Sequence, residues 1–220
     1  HPSAPLDYRS AEARAGHRLL LLAQPRGLSG EENVALDSFV RAGGRALVFV
    51  DPLLTGESRF AIGDRRRPQE VALLSPILAR WGLELRFDPL AGEGGTRALP
   101  AAAGTVPVPV DLAGVLVAQP NGAGACTIVA QGLVAHCRAG AGAVVVVADA
   151  ALLDLSSPPP GACPALAALL TAAFGPAEVG GDNDLSDPHD SPAALPGFVC
   201  AAQPAHAHAH AHGHHHGPSL

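Results

Sequence analysis

The chain has 220 residues, which is enough for one domain of ordinary size with additional segments. Hydrophobic residues make up 48% of it but aromatic residues only 4%, so its core must be built from aliphatic side chains. The net charge is −6 and lysine is absent, which leaves Arg65–Arg67 as the only dense basic cluster. Such a cluster without interleaved aromatic residues is typical of a solvated or ion-paired loop, and we expect no nucleic-acid partner.

The first quarter of the chain predicts a strand, a helix and a second strand. Residues 17–25 form a short apolar run that ends in proline, as a buried strand does. Ser29, followed three residues later by Glu32, forms a capping box, and Gly43 is placed to end the predicted helix. The next apolar run is 45–50. A strand, a helix and a strand in this order predict a parallel βαβ crossover.

The middle of the chain gives weaker patterns. A helix is predicted from Ser75, as its N-cap, to Gly82. Residues 83–87 alternate in polarity and predict an exposed edge strand. Residues 89–105 are rich in Gly and Ala, and we expect a loop there. The prolines within 106–119 allow an edge strand at best.

The last ordered third completes the predicted fold. A hairpin is predicted over 126–137, an apolar central strand over 143–149, and a helix over 163–175. Together the elements predict an α/β fold, namely a three-layer sandwich with a mostly parallel, flavodoxin-like sheet and an antiparallel hairpin at one edge.

The composition divides the chain into three predicted segments. Residues 1–16 are a polar leader remnant, 17–175 form the α/β domain, and 176–220 are a disordered tail rich in Gly, Pro, Asp and His. No apolar run reaches the ~20 residues that a bilayer requires, so we expect no transmembrane segment within this chain. Because the chain does not begin with Met, either a leader was removed or the sequence was trimmed, and any signal peptide or membrane tether would lie upstream of His1.

Two of the four cysteines are predicted to form a disulfide. A two-residue turn at 131–132 places Cys126 directly opposite Cys137, with Cα atoms about 5.5 Å apart, which lies within the range of disulfides. A stable disulfide implies an oxidising compartment, whereas two buried thiols in a cytosolic protein are the alternative. The other two cysteines, Cys163 at the start of a predicted helix and Cys200 in the tail, could remain free.

The common catalytic motifs are missing from the sequence. It contains no nucleophile elbow, no phosphate-binding loop with its lysine, no dinucleotide fingerprint, no H-E-x-x-H and no C-x-x-C. Within residues 17–175 the only histidines are His17 and His136, which leaves little for acid–base catalysis by imidazole. We therefore expect no cofactor in the core.

Two predicted strands end in similar strings, LVFVDPLL with Asp51 and VVVVADAALL with Asp149. Because parallel strands end at the same edge of a sheet, these side chains are expected to share a cleft. The predicted lining of this ligand-binding cleft is Gln24, Arg26, Asp51, Thr55, Ser58, Arg59 and Asp149. Two carboxylates can hold a metal ion or polarise a water molecule, which makes a hydrolase one alternative. The other alternative is that each aspartate caps the turn that follows it.

The tail carries a run of histidines at alternate and then consecutive positions: His206, His208, His210, His212, His214, His215 and His216. Neutral imidazole binds Zn, Ni and Cu, so the tail predicts affinity for these divalent metals. A metal-binding protein that acts through this tail is therefore a further alternative, and low-complexity drift without a function remains open beside it.

The string LAQPRGLSGEENVALDSFVRAGGRALVFVDPLLTGESRFAIGDRRRPQEVALLSPILARWGLELRFD, residues 22–88, resembles a bacterial family. It is similar to the ABC-type transport system auxiliary domain related to gliding-motility transporter components, over about residues 18–175. Domains of that family resemble class I glutamine amidotransferases in fold, and they are usually exported and tethered to the membrane.

The amidotransferase nucleophile elbow has no counterpart in this chain, so no catalytic residue carries over. The resemblance implies a non-catalytic binding or interaction domain in the periplasm, with membrane transporter subunits as partners.

Overall fold

The computed structural model describes residues 18–58, 60–64, 66–87, 94–102, 104–120, 122–154 and 156–175. Short 3-10 turns lie at Ala130–Gly132 and Ala151–Leu153. The helices and strands follow in the order β1 (Leu19–Ala23), α1 (Gly30–Arg41), β2 (Arg45–Phe49), α2 (Ser75–Trp81), β3 (Leu83–Phe87), β4 (Thr96–Ala101), β5 (Gly104–Pro109), β6 (Gly114–Ala118), β7 (Ala125–Val129), β8 (Val134–Ala139), β9 (Gly142–Val147) and α3 (Ala162–Phe174).

A five-stranded mixed sheet lies at the centre, with its strands in the order β1-β2-β9-β8-β7. β2 pairs in parallel with β1 on one side and with β9 on the other. β8 is antiparallel to both of its neighbours, β9 and β7. Two further antiparallel pairs, β3 with β6 and β4 with β5, form small separate sheets.

The predicted three-layer sandwich with a mostly parallel, flavodoxin-like or amidotransferase-like sheet is wrong. Of the six strand pairings within the described residues, only two are parallel. A parallel neighbour requires a long crossover, whereas β7, β8 and β9 are joined by tight turns that force antiparallel pairing. The chain between β2 and β7 builds the small sheets instead of returning to the main one. The predicted antiparallel hairpin is present at the β7 edge.

The segment 89–105, expected to be a loop, contains strand β4. Its partner β5 includes two prolines, Pro107 and Pro109, which stand opposite Ala98 and Thr96. Within the described residues this sheet has two strands, so each has a neighbour on one side only. Proline has no N–H to donate, and it is tolerated in such a strand where its nitrogen faces away from the partner strand.

The helix termini follow the sequence closely at α1 and less closely at α2. The Glu32 N–H donates to Ser29 Oγ at 3.2 Å and the Glu32 carboxylate accepts the Ser29 N–H at 2.8 Å, which is the predicted capping box. At α2 the N-cap is Leu74 rather than Ser75. Gly82 ends α2 with φ of 90°, a left-handed conformation that favours glycine, and the chain enters β3 at once.

Both faces of the central sheet are buried, because alternate side chains of β2 and β9 enter two hydrophobic clusters. Val48 and Val146 pack on the side of α1 and α2, and Leu47 and Val145 pack on the side of α3. This arrangement explains why β2 and β9 are continuous apolar runs in the sequence. No helix in the described part of the chain is long and apolar enough to cross a membrane.

The structure contains the disulfide between Cys126 and Cys137, which are register partners in the β7–β8 hairpin. Their Cα atoms are 4.0 Å apart, closer than the spacing expected for a hydrogen-bonded pair. Cys163, in the first turn of α3, is disulfide-bonded as well, so the expectation that it remains free is wrong. Cys200 lies outside the described residues.

Candidate functional site

Polar side chains meet at the carboxyl ends of three neighbouring strands. Gln24 follows β1, Asp51 follows β2 and Asp149 follows β9, and these strands are adjacent and parallel. All three side chains are buried, with 4%, 1% and 1% of their surface exposed. Together with Asp111, which contacts them, we call this group the aspartate edge.

Gln24 joins the ends of β1 and β2 through its side-chain amide. Its Nε2 donates to the Asp51 carbonyl oxygen at 2.9 Å, and its Oε1 accepts the Asp51 N–H at 2.7 Å. The amide thus takes the place of a strand neighbour where the ladder has ended. This pairing leaves neither backbone group of Asp51 without a partner, which a buried site requires.

The carboxylates of Asp51 and Asp149 accept hydrogen bonds from the backbone with all four oxygens. Asp51 accepts from the N–H groups of Leu53 at 2.9 Å and Ala150 at 3.0 Å. Asp149 accepts from the N–H groups of Ala151 at 2.7 Å and Asp111 at 2.9 Å. Each aspartate therefore closes its own turn and also fixes a loop from a different part of the chain.

Asp111, which lies between β5 and β6, is the member that the sequence prediction missed. Its Oδ2 accepts the Thr55 hydroxyl at 2.6 Å, and its Oδ1 accepts the Gly94 N–H at 2.8 Å. A signal was present in the string VPVDL, where an aspartate again follows an apolar strand, as it does at Asp51 and Asp149.

Burial controls the charge of the aspartate edge. Burial raises the pKa of Asp149 to about 7, and the neighbouring negative charges of Asp51 and Asp111 add to the rise. Burial likewise raises the pKa of Asp51, although its hydrogen bonds from Leu53 and Ala150 oppose that effect. The site therefore holds a proton on Asp149 up to nearly neutral pH, and this relieves the repulsion within the group.

The other predicted cleft residues have different contacts. Arg26 forms a two-pronged ion pair with Glu32 on α1, at 2.7 and 3.0 Å. Ser58 Oγ accepts the N–H of Phe60 within its own loop. Arg59 lies outside the described residues. Of the predicted lining, the structure connects Gln24, Asp51, Thr55 and Asp149 through hydrogen bonds with Asp111 or with one another.

The described part of the chain contains no group of three or more His, Cys, Asp or Glu residues placed to hold a metal ion. The histidines of 206–216 lie outside that part, so their predicted affinity for Zn, Ni or Cu remains a prediction.

Residues 4–121, more than half of the chain, match the model of a family described as an ABC-type uncharacterized transport system. The chain belongs to this family. The matched region includes β1 to β6 and, with them, Gln24, Asp51 and Asp111. Asp149 lies beyond it. No curated protein matches the chain significantly.

Several solved structures show a weak likeness to this family member. An exo-beta-1,4-mannosidase from Opitutaceae bacterium strain TAV5 has 18% identity over 64% of this chain and 22% of its own, with a TM-score of 0.42. A beta-galactosidase from Bacillus circulans sp. alkalophilus has 10% identity over 71% and 22%, with a TM-score of 0.42. A cytoplasmic protein from Salmonella typhimurium LT2 has 14% identity over 75% and 71%, with a TM-score of 0.41.

The chain spans about a fifth of the length of the two glycosidases. TM-scores near 0.4 do not establish a shared fold, so the amidotransferase-like fold that the resemblance implied is not confirmed.

Proposed function

We propose that this chain is a non-catalytic auxiliary domain of an ABC-type transport system, and that it binds membrane subunits of the transporter from the periplasm. The family match over residues 4–121 supports the connection with transport. The observation that carries the non-catalytic part is the aspartate edge, where every oxygen of Asp51 and Asp149 already accepts a backbone N–H.

A hydrolase that uses Asp51 and Asp149 has little support in this geometry. A general acid, a general base or a metal ligand must present an oxygen to its substrate or ion. Both aspartates are only 1% exposed, and their oxygens are engaged with loop backbone. The raised pKa of Asp149 is explained by burial beside like charges, without a catalytic role.

The connection between β2 and α2 offers a surface for a partner. Of the seven exposed large hydrophobic side chains in the described residues, four lie in this connection: Leu53, Ile62, Val71 and Leu73. Hydrogen bonds from the Leu54 N–H to the Glu70 carbonyl and from the Ala72 N–H to the Asp51 carbonyl hold its two ends side by side. Leu53 and Val71 lie in these paired segments, and together with Leu73 we call these exposed residues the apolar rim. Grouped exposed apolar residues commonly mark protein contacts.

The periplasmic location is supported by the disulfides. Cys126 and Cys137 are bonded across the hairpin, and Cys163 is also in the oxidised state. Persistent disulfides form in oxidising compartments and are rare where thioredoxin and glutathione keep thiols reduced.

A photo-crosslinking amino acid at Val71 tests the partner. In cells that also produce the transporter, we expect crosslinks to an ABC-type membrane subunit, identified by mass spectrometry. The matched control position is Thr127, which is exposed on β7 at the far edge of the sheet. Crosslinks to the same subunit from both positions, or none from Val71, contradict the proposed surface.

The compartment is tested separately by blocking free thiols during cell fractionation. We expect the chain in the periplasmic fraction, with Cys126 and Cys137 labelled only after reduction. Free thiols at both positions in a cytoplasmic fraction contradict the proposed location.

A further inference from the structure

A second apolar feature of the β2–α2 connection is the tip of its loop. Ile62 is 91% exposed, more than any other large hydrophobic side chain in the described residues. Its neighbours Ala61 and Gly63 are exposed too. These three residues, which we call the Ile62 tip, present no polar side chain to solvent.

The backbone of the Ile62 tip closes a turn. The Asp64 N–H donates to the Ala61 carbonyl at 3.1 Å and closes a turn, and Gly63 supplies the φ of 90° that the turn needs. The Asp64 carboxylate then accepts both the backbone N–H and the guanidinium of Arg66, at 2.9 and 2.8 Å.

Two arginines that follow the tip in the chain, Arg66 and Arg67, contact Phe60, which precedes the tip. The Arg66 guanidinium lies over the Phe60 ring, 4.6 Å from its centroid. Arg67 donates to the Phe60 carbonyl at 2.9 Å and pairs with Glu70 at 2.8 Å. Because these contacts restrict the loop before it docks, docking it on a surface costs less further conformational entropy than docking an unconstrained loop.

The charge around the tip differs from that of the whole chain. Residues 57–70 contain four arginines and three acidic residues, a small positive excess, whereas the chain carries a net charge of −6. The side chain of Arg66 is 72% exposed even while it pairs with Asp64. An exposed apolar side chain next to exposed arginine is typical of segments that enter the interface of anionic lipids.

We propose that the Ile62 tip docks on an anionic lipid bilayer, with Ile62 entering the boundary between headgroups and acyl chains and Arg66 and Arg67 lying at the lipid phosphates. Shallow insertion into lipid needs only a few apolar atoms together with charge attraction. This inference goes beyond the proposed function, since it requires no transporter.

Vesicle binding by the purified, oxidised full chain tests the proposal. The probes are vesicles of equimolar phosphatidylglycerol and phosphatidylcholine, and vesicles of phosphatidylcholine alone. A pH of about 8 keeps the tail imidazoles neutral, so that they do not attract anionic lipid. We expect binding to the anionic vesicles, weakened by about 0.5 M salt, and little binding to the neutral ones.

Ile62→Asp is expected to weaken binding to anionic vesicles by about tenfold or more, because it removes the inserted side chain and adds a like charge. Ile62→Leu is expected to retain it. The matched control is Val34→Asp on α1, which introduces the same charge at a site that is 67% exposed, and we expect its binding to stay within roughly threefold of wild type.

The proposal is overturned if the wild-type chain does not bind anionic vesicles, or if Ile62→Asp binds them as well as the Val34→Asp control. It is also overturned if Ile62→Asp leaves vesicle binding intact and instead abolishes the crosslink from Val71, because the tip would then contact a protein. The Val71 crosslink is read in cells with the transporter and the vesicle assay without it, so failure of either proposal is distinguishable from failure of the other.

Discussion

At the scale of single residues, the aspartate edge shows how side chains supply hydrogen-bond partners to backbone groups at the ends of strands, where the strand ladder stops. Gln24 pairs with both backbone groups of Asp51, and Asp51 and Asp149 accept four backbone N–H groups in loops. Unpaired buried backbone groups are costly, so these contacts offset part of the cost of burying carboxylates together.

Gln24→Ala tests this account. The change leaves the N–H of Asp51 without its partner in a buried site, while the carbonyl keeps the Ala72 N–H, and we expect the free energy of unfolding to fall by about 1–3 kcal/mol. Urea unfolding followed by circular dichroism measures it. Gln69→Ala, in the β2–α2 connection, is the control and should change that free energy by less than about 0.5 kcal/mol. An equally small effect of Gln24→Ala would show that the hydrogen bonds from Gln24 to the Asp51 backbone do not stabilise the fold.

The raised pKa of Asp149 makes stability depend on pH. Its folded-state pKa of about 7 lies above its ordinary value of 3.8, so between these pH values the folded state binds more protons than the unfolded state. We therefore expect the contribution of Asp149 to the free energy of unfolding to decrease as pH rises from about 4 to 7, by up to ~1.4 kcal/mol per pH unit, and to be constant above that.

The measurement compares wild type with Asp149→Asn in urea across this pH range. The asparagine does not titrate, so the difference between the two curves isolates Asp149 from His136, whose pKa is lowered by burial and acts in the opposite direction. The asparagine NH₂ also faces a backbone N–H, so the variant is less stable at low pH by roughly 1–3 kcal/mol. A difference independent of pH would show that Asp149 titrates normally.

The members of the aspartate edge differ in how well the sequence predicts that they lie together. Asp51 and Asp149 follow long apolar runs, and adjacent parallel strands bring such residues together. Asp111 follows a strand that contains two prolines and belongs to another sheet, so local periodicity gave no reason to place it beside them. Arg26 was expected in the cleft because of its position after β1, but Glu32 is close enough along the chain to bind it.

At the scale of elements, the β7–β8 hairpin is the best-determined part of the sequence interpretation. The last register pair is Val129 with Val134, and the turn between them has positive φ at Ala130, Gln131 and Gly132, of 51°, 56° and 89°. The disulfide then joins the edge strand β7 to β8, which is inside the sheet. Among the described strands β7 pairs with β8 alone, so the disulfide adds a covalent link to an edge strand that has one neighbour.

The double variant Cys126→Ala/Cys137→Ala tests that contribution. Because the disulfide closes a loop of 11 residues, we expect its removal to lower the free energy of unfolding by about 3 kcal/mol. Urea unfolding of the variant without reductant measures this, since a reductant would also act on Cys163. A loss below about 1 kcal/mol would mean that the hairpin is held by its strand pairing alone.

The elements themselves were more predictable than their pairing. The cap of α1, the apolar run of β2 and the turn at Gln131 are local signals, and each appears where the sequence placed it. Pairing depends on distant residues. Nothing near β3 indicates that it pairs with β6 in a separate sheet. The tight turn before β9 requires antiparallel pairing with β8, but nothing near β9 indicates that its other neighbour is the parallel strand β2.

At the scale of the whole molecule, the segment that matches the family ends before the folded unit does. The match ends at residue 121, before β7, β8 and β9. Yet β9 lies directly beside β2, and its valines fill both hydrophobic clusters. The matched region therefore lacks the strand that buries the centre of its own sheet.

A fragment of residues 1–121 is expected not to fold. Without β9, one edge of β2 and much of its apolar surface remain open to water. Hydrogen exchange read by mass spectrometry should show protection of the β2 amides in the full chain and none in the fragment. Native-like protection of β2 in the fragment would show that β9 is dispensable.

The predicted metal affinity belongs to the tail. We expect the full chain to bind Zn or Ni and a chain ending at Gln203, which keeps all four cysteines, to lose that binding. Isothermal titration near pH 7.5 measures both, and affinity should fall below about pH 6 as the imidazoles are protonated. Equal binding by the shortened chain would place the metal elsewhere.

The position of β9 also has a consequence for biosynthesis. Ala143 in β9 is the register partner of Arg45 in β2 and lies roughly a hundred residues later in the chain. A ribosome working at ~5–20 residues per second needs roughly 5–20 s to synthesise the residues between them. Throughout that delay the nascent β2 segment has β1 as an available parallel neighbour but not β9. The central sheet should therefore be completed only after the late strands have been synthesised.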